Sequence, residues 1–296
     1  MTLPLFRTRA LIPPLAPRLP AAPVEYDQRY VDSLTSILRQ YFNTIDNFTQ
    51  PFSSNTGGAF LQFPNGAFHQ NGYTTLTNAI PNSSSTATIV VASTAGFGEI
   101  IPGTILIENE LITYTGKTAT TFTGITRSQY GSTGSSHAAG VYVTEAQAVP
   151  SSTTALAVPF DTTDTSNEVS LDPLDTSKID FAVAGYYNVQ FSIQLINATS
   201  SIDNVTLWFR QNTVDIPYTA GVVSIPSKHA GGVGATIISW NLVVAINAGD
   251  NIQLMMHSNS GNTVAATYPP GTAPVHPASP SVILTATFVS ALFPPT

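Results

Sequence analysis

Three side chains in the middle of the chain have the chemistry for acid–base work. They are Glu110, Arg127 and His137, set in "ENELITYTG" and "GITRSQYGSTGSSHAAG". A carboxylate beside an imidazole can relay a proton, and a guanidinium can hold an anion. No Ser/His/Asp order and no metal-ligand spacing accompanies them. The same residues suit a structural role: an internal Glu110–Arg127 ion pair, with His137 hydrogen-bonding a turn, would staple a domain that has little core. That is the expectation, and no catalytic, cofactor-binding or metal-binding residue is assigned. A second cluster, Asp161, Asp164, Glu168, Asp172, Asp175 and Asp180, lies in "DTTDTSNEVSLDPLDTSKID". A calcium site needs six to eight oxygens, but this spacing fits no EF-hand, so a solvated connecting loop is expected. A third set, His257, Tyr268 and His276, sits in the Pro-stiffened "HSNSGNTVAATYPPGTAPVHPASP", where rigid aromatic loops offer a receptor-contact surface.

Composition narrows the chemistry further. Of the 296 residues 43% are hydrophobic and only 9% are charged, with no cysteine. Disulfides, thiolate zinc sites and cysteine nucleophiles are excluded. A charged fraction that low favours apolar surface kept for a partner, so self-assembly is expected. A net charge of −7 and only three lysines (Lys117, Lys178, Lys228) argue against nucleic acid. No apolar run is long enough to span a bilayer. The opening "MTLPLFRTRALIPPLAPRLPAAP" is not read as a targeting peptide, because its prolines interrupt any apolar core.

Four regions must position these groups. Residues 1–25 form a Pro-rich arm with Arg7, Arg9 and Arg18, suited to anchoring in another protein. Residues 26–50 form a helix in which Val31, Leu34, Leu38, Tyr41, Ile45 and Phe48 recur at 3- and 4-residue spacing, an a/d seam. Asp27 and Asp32 favour its start, and Pro51 is expected to close it. Ile37 and Phe42 widen the stripe, which favours three helices around a molecular axis; docking on the chain's own β domain is the alternative. Residues 51–150 form a small β module with strands at Thr88–Ala92, Gly103–Ile107, Leu111–Thr115, Thr121–Ile125 and Val141–Thr144. Glu108-Asn109-Glu110 lies at or near a hairpin turn. Residues 151–296 read as a β sandwich, with Trp208 and Trp240 in its core.

Two resemblances add to this. Residues 84–147 resemble a small β module that recurs in bacteriophage structural proteins. The match is carried by Glu110, Tyr114, Arg127, Gly131, Thr133, His137 and Gly140, with Ser128 where the pattern more often has Gly. Residues 155–296 resemble the trimeric jelly roll of the tumour necrosis factor and complement globular-head superfamily. That match is carried by "VPFDTT", "AGYYNVQFS", "LVVAINAGDNIQL" and the closing "ILTATFVSAL". It implies that Gly185, Tyr186 and Tyr187 lie near a three-fold axis and that Gly249-Asp250 form a turn. The expected fold is therefore mainly β: an N-terminal arm and helix, a small β module and a C-terminal jelly-roll sandwich, assembled as a homotrimer. The expected role is non-enzymatic, without cofactor or membrane insertion. It is a phage virion protein on the tail or capsid surface, a short tail fibre contacting a host glycan or protein. The alternative is a capsid decoration (cement) protein at three-fold sites. Partners would be tail adaptor, baseplate or major capsid proteins.

Overall fold

The computed structural model describes residues 17–21, 23–53, 63–82, 87–98, 102–151, 154–230 and 232–291, with backbone only over 46–53. The chain divides into two compact units, Met1–Phe63 and Pro64–Thr296. The first holds α1 (Gln28–Ser53), the one helix among the described residues. Asp27 caps it, its carboxylate accepting the Arg29 N–H at 2.9 Å. The helix runs through Pro51 to Ser53 rather than stopping at residue 50. Proline costs that turn one N–H, and only two residues follow, so little is lost. No side chain described in α1 is buried. Tyr30, Leu34, Ile37, Leu38, Tyr41 and Ile45 are half-covered along one stripe, while Val31 is exposed. Arg18 is exposed; Arg7, Arg9 and the Phe48 side chain lie outside the described residues.

The second unit is all strand and turn. Its first part holds β1 (Asn65–Gln70), β2 (Tyr73–Thr75), β3 (Thr88–Val90), β4 (Gly103–Ile107), β5 (Glu110–Tyr114), β6 (Gly116–Lys117), β7 (Thr121–Thr123) and β8 (Tyr142–Ala148). Next come β9 (Leu156–Ala157), β10 (Thr162–Asn167), β11 (Val169–Leu171), β12 (Ile179–Phe181), β13 (Gly185–Asn197), β14 (Asp203–Gln211) and β15 (Val214–Asp215). The remainder are β16 (Gly221–Ile225), β17 (Gly234–Ile246), β18 (Asn251–Ser258), β19 (Thr263–Ala266), β20 (Gly271–Thr272), β21 (Val275–His276) and β22 (Val282–Ser290).

One large sheet runs β10-β1-β22-β13-β19-β8-β4-β5, with β17 also paired to β13 and β2 to β8. The other runs β11-β12-β18-β14-β15, with β16 on β14 and β9 on β18. They pack as a sandwich. Tyr187, Val189, Phe191, Ile193 and Leu195 of β13 and Val282, Leu284 and Ala286 of β22 meet Val205, Leu207 and Phe209 of β14 and Ile252, Leu254 and Met256 of β18. Every second residue of β13 faces this core, as strand geometry requires. A smaller core sits under the first part of the unit, where Phe97 meets Phe122 edge-on and Tyr114 tilts against Phe122, packed with Ile105, Ile107 and Ile112.

The sheets do not divide at residue 150. β8 pairs with β4 on one side and with β19 on the other, and β1 pairs with β10 and β22. The first strands are thus hydrogen-bonded into the same sheet as the last. The acidic segment is not one open loop. It supplies β10, β11 and β12, and Asp172 accepts the Leu174 and Asp175 N–H groups in a tight turn. The Gly249-Asp250 turn is present: Gly249 has φ +88°, and Asp250 accepts the Asn247 N–H at 2.9 Å.

Candidate functional site

Glu110, Arg127 and His137 come together as expected. The β4–β5 hairpin turns on Glu108 and Asn109, and Ile107 pairs with Glu110, which places Glu110 at the start of β5. Glu110 Oε1 accepts Arg127 Nε at 2.9 Å and the Ser128 N–H at 3.2 Å. Its Oε2 lies 2.5 Å from Arg127 Nη2, 2.8 Å from His137 Nε2 and 3.2 Å from the Ser135 N–H. The other ring nitrogen of His137 faces Glu108, a residue of the β4–β5 turn, at 2.7 Å, through that residue's carboxylate. The guanidinium also donates to the Pro81 and Ser135 carbonyls. Burial pushes the Glu110 carboxyl up, but Arg127, His137 and the Ser135 N–H outweigh it and hold the group below the usual carboxylate range. A carboxylate with both oxygens committed and no exposed side-chain surface cannot take a proton from a substrate. It ties the hairpin, the 126–137 loop and the Pro81 segment into one piece.

The larger feature is a surface. The outer face of β22, β13 and β17 carries Ile283, Thr285, Thr287 and Val289, then Tyr186, Asn188, Gln190, Ser192 and Gln194, then Ala235, Ile237, Ser239, Asn241, Val243 and Ala245. None of these side chains is charged. Ile237 (66%), Val243 (61%) and Val289 (56%) are exposed, and Tyr186 stands among them at 38%. Charge returns on β1 and β10, where His69 faces Asp164 at 2.8 Å. β17 pairs only with β13 among the described residues, so thirteen residues without charge or proline form a free sheet edge. Monomeric proteins usually blunt such edges with lysine, proline or a bulge.

Tyr187, expected at an intersubunit surface, is instead inside the sandwich. It is fully buried, its ring edge-on to Phe181 and Phe288, and its hydroxyl donates to the Val183 carbonyl at 2.8 Å. Adjacent strand residues face opposite sides, so Tyr186 and Tyr187 cannot share a surface. Gly185 faces inward with it, and a Cβ there would meet the Phe288 ring at 2.3 Å. Trp240 is half-buried against Phe191, whereas Trp208 directs its indole N–H to Asp215 at 2.8 Å.

His257, Tyr268 and His276 are not brought into one surface. His257 lies in β18 of the seven-stranded sheet, and Tyr268 is half-buried against the small core of Leu106, Leu111 and Val264. Only His276, in the exposed β20–β21 hairpin, is open to solvent. Sequence reading also passed over Asp203, a buried acid that accepts Ser258 and Thr263 hydroxyls at 2.6 Å. A single Asp opening a strand, with a Ser/Thr-rich turn later, was its only signal.

No protein-family model matches the chain, and no curated protein does.

Proposed function

We propose that this chain is a bacteriophage virion structural protein, a homotrimeric short tail fibre. The arm and α1 anchor it, and a jelly-roll sandwich is presented to the host surface. The observation that carries the assembly is the uncharged outer face of β22, β13 and β17 with its free β17 edge. Apolar and neutral side chains on that face can be covered by two further copies with no ion left unpaired. The half-covered stripe on α1 supports the same reading, since an isolated helix of this length is marginal until a partner buries its apolar side. The phage setting rests on the resemblance of residues 84–147, and the jelly roll on that of residues 155–296.

Sedimentation equilibrium of the full chain tests the assembly. Three copies are expected for the wild type, and folded single copies for Ile237→Asp combined with Val243→Asp. Both side chains point outward, so circular dichroism of the variant should match the wild type. A stable single-copy wild type would overturn the proposal. Density for the chain in a virion map then separates tail from shell, and shell density would replace the fibre with the decoration role.

A further inference from the structure

A second buried acid stands where the first strands of the β unit join the sandwich. Glu145, in the middle of β8, is only 6% exposed. Its Oε1 accepts the Gly98 N–H at 2.8 Å, and its Oε2 has no hydrogen-bond partner. Asp161 stands beside it, taking the Asn71 N–H at 3.3 Å and the Thr162 hydroxyl at 2.8 Å. Gly72 packs close against the carboxylate, where no side chain would fit. A Cβ there would fall 2.7 Å from Glu145 Oε2 and 2.6 Å from the Gly96 carbonyl oxygen. Glu145 and Asp161 line a cavity of about 20 Å³ with Gln70, Thr104 and Thr176, and no Lys, Arg or His lines it. That is room for one water-sized occupant.

We propose that Glu145 and Asp161, with the neutral oxygens around this cavity, bind one divalent cation of the calcium class. The lining offers oxygens and neither imidazole nor thiolate, which selects a hard cation. Calcium tolerates irregular coordination at 2.3–2.6 Å, whereas magnesium demands near-octahedral geometry and keeps its waters. A water molecule, or a proton shared with Asp161, would satisfy Oε2 alone; a cation would satisfy it and also offset the repulsion between the two carboxylates. The ion would fix β8 to the segment before β10, locking the first strands onto the sandwich. The site is independent of the proposed virion role.

The test is thermal unfolding and calorimetric titration of the full chain after chelator treatment. Calcium should bind at one ion per chain. It should raise the melting temperature saturably, by roughly 5–10 °C at a hundredfold excess over its Kd. Glu145→Gln and Asp161→Asn should each abolish that rise. If Glu145→Gln fails to fold, equilibrium dialysis of labelled calcium against wild type and Asp161→Asn decides. No shift with calcium, magnesium or manganese, or an equal shift in the variants, would overturn the site and leave a carboxyl pair that shares a proton.

Discussion

Glu110 and Glu145 are both strand carboxylates of the same β unit, and both are nearly buried, at 1% and 6% exposure. Around Glu110 five nitrogens lie within hydrogen-bond reach. Around Glu145 there are two donors, the Gly98 N–H and the Gln70 side-chain amide, and no cation. Desolvation raises both acids. At Glu110 the donors win and the carboxyl stays low, whereas at Glu145 burial and then Asp161 push it up to about 8. Burial alone therefore does not decide what a buried acid does; the donors supplied to it do. One acid is a finished staple, and the other is an acceptor still lacking a positive partner.

The largest expected effect breaks the finished side. Arg127→Ala leaves Glu110 buried without its cation, and removing one partner of such a pair costs about 3–5 kcal/mol. Arg127→Lys keeps the charge but loses the fork that reaches both oxygens, and should cost roughly half as much. Glu145→Gln removes an acid that must take up a proton to fold at pH 7, and should be neutral to stabilising in calcium-free buffer at that pH. Urea midpoints at constant m-value measure all three. A cost below about 1 kcal/mol for Arg127→Ala would erase the contrast.

The next effect is a pH slope. Unfolded, Glu145 titrates near 4.5, and folded it is raised to about 8. The folded state therefore holds an extra proton between those values. The associated stability is complete below pH 4.5 and is lost as pH rises through 8. In calcium-free buffer the wild type should lose on the order of a few kcal/mol relative to Glu145→Gln between pH 5 and 9. Glu110 has the opposite sign: its folded value is depressed, so its contribution is present above 4.5 and lost as pH falls below that. Stability curves of wild type, Glu145→Gln and Glu110→Gln from about pH 3 to about pH 9 resolve the two slopes. A wild-type curve parallel to that of Glu145→Gln would mean that Glu145 carries no raised value.

Much of the finished side was legible in the sequence. Strand pattern and hairpin turn are local properties that marked the strands, and the residue types of Glu110, Arg127 and His137 suited an internal ion pair. The unfinished side was not legible, because it is made by distant pairing. Glu145 lies just beyond the strand expected at Val141–Thr144, and nothing in "VTEAQAV" marks the acid as buried. Yet Val143 to Ala146 are all buried, since β2, β4 and β19 close around β8. Asp161 reaches it only because β1 pairs with β10 about a hundred residues away. Tyr187 was misplaced for a different reason: the resemblance set both tyrosines near a three-fold axis, whereas the alternation of Val189, Phe191, Ile193 and Leu195 with Asn188, Gln190, Ser192 and Gln194 already puts Tyr187 on the inward side of β13.

The smallest expected effect sharpens the comparison from the backbone side. Ser128 adopts φ +59°, a left-handed conformation that glycine takes without strain, and the resemblance pattern places glycine at this position. Its N–H feeds Glu110 Oε1, so the strained backbone is what aims one of the five nitrogens. Ser128→Gly relieves about 1 kcal/mol of strain but frees the unfolded chain by a comparable amount. The net gain is expected to be about 0.5 kcal/mol or less. Ser128→Val, β-branched and poorly suited to positive φ, should cost about 1–2 kcal/mol without touching any side chain of the network. If both variants matched the wild type in urea, the 128 turn would be relaxed, and the donors around Glu110 would be positioned by Arg127 alone.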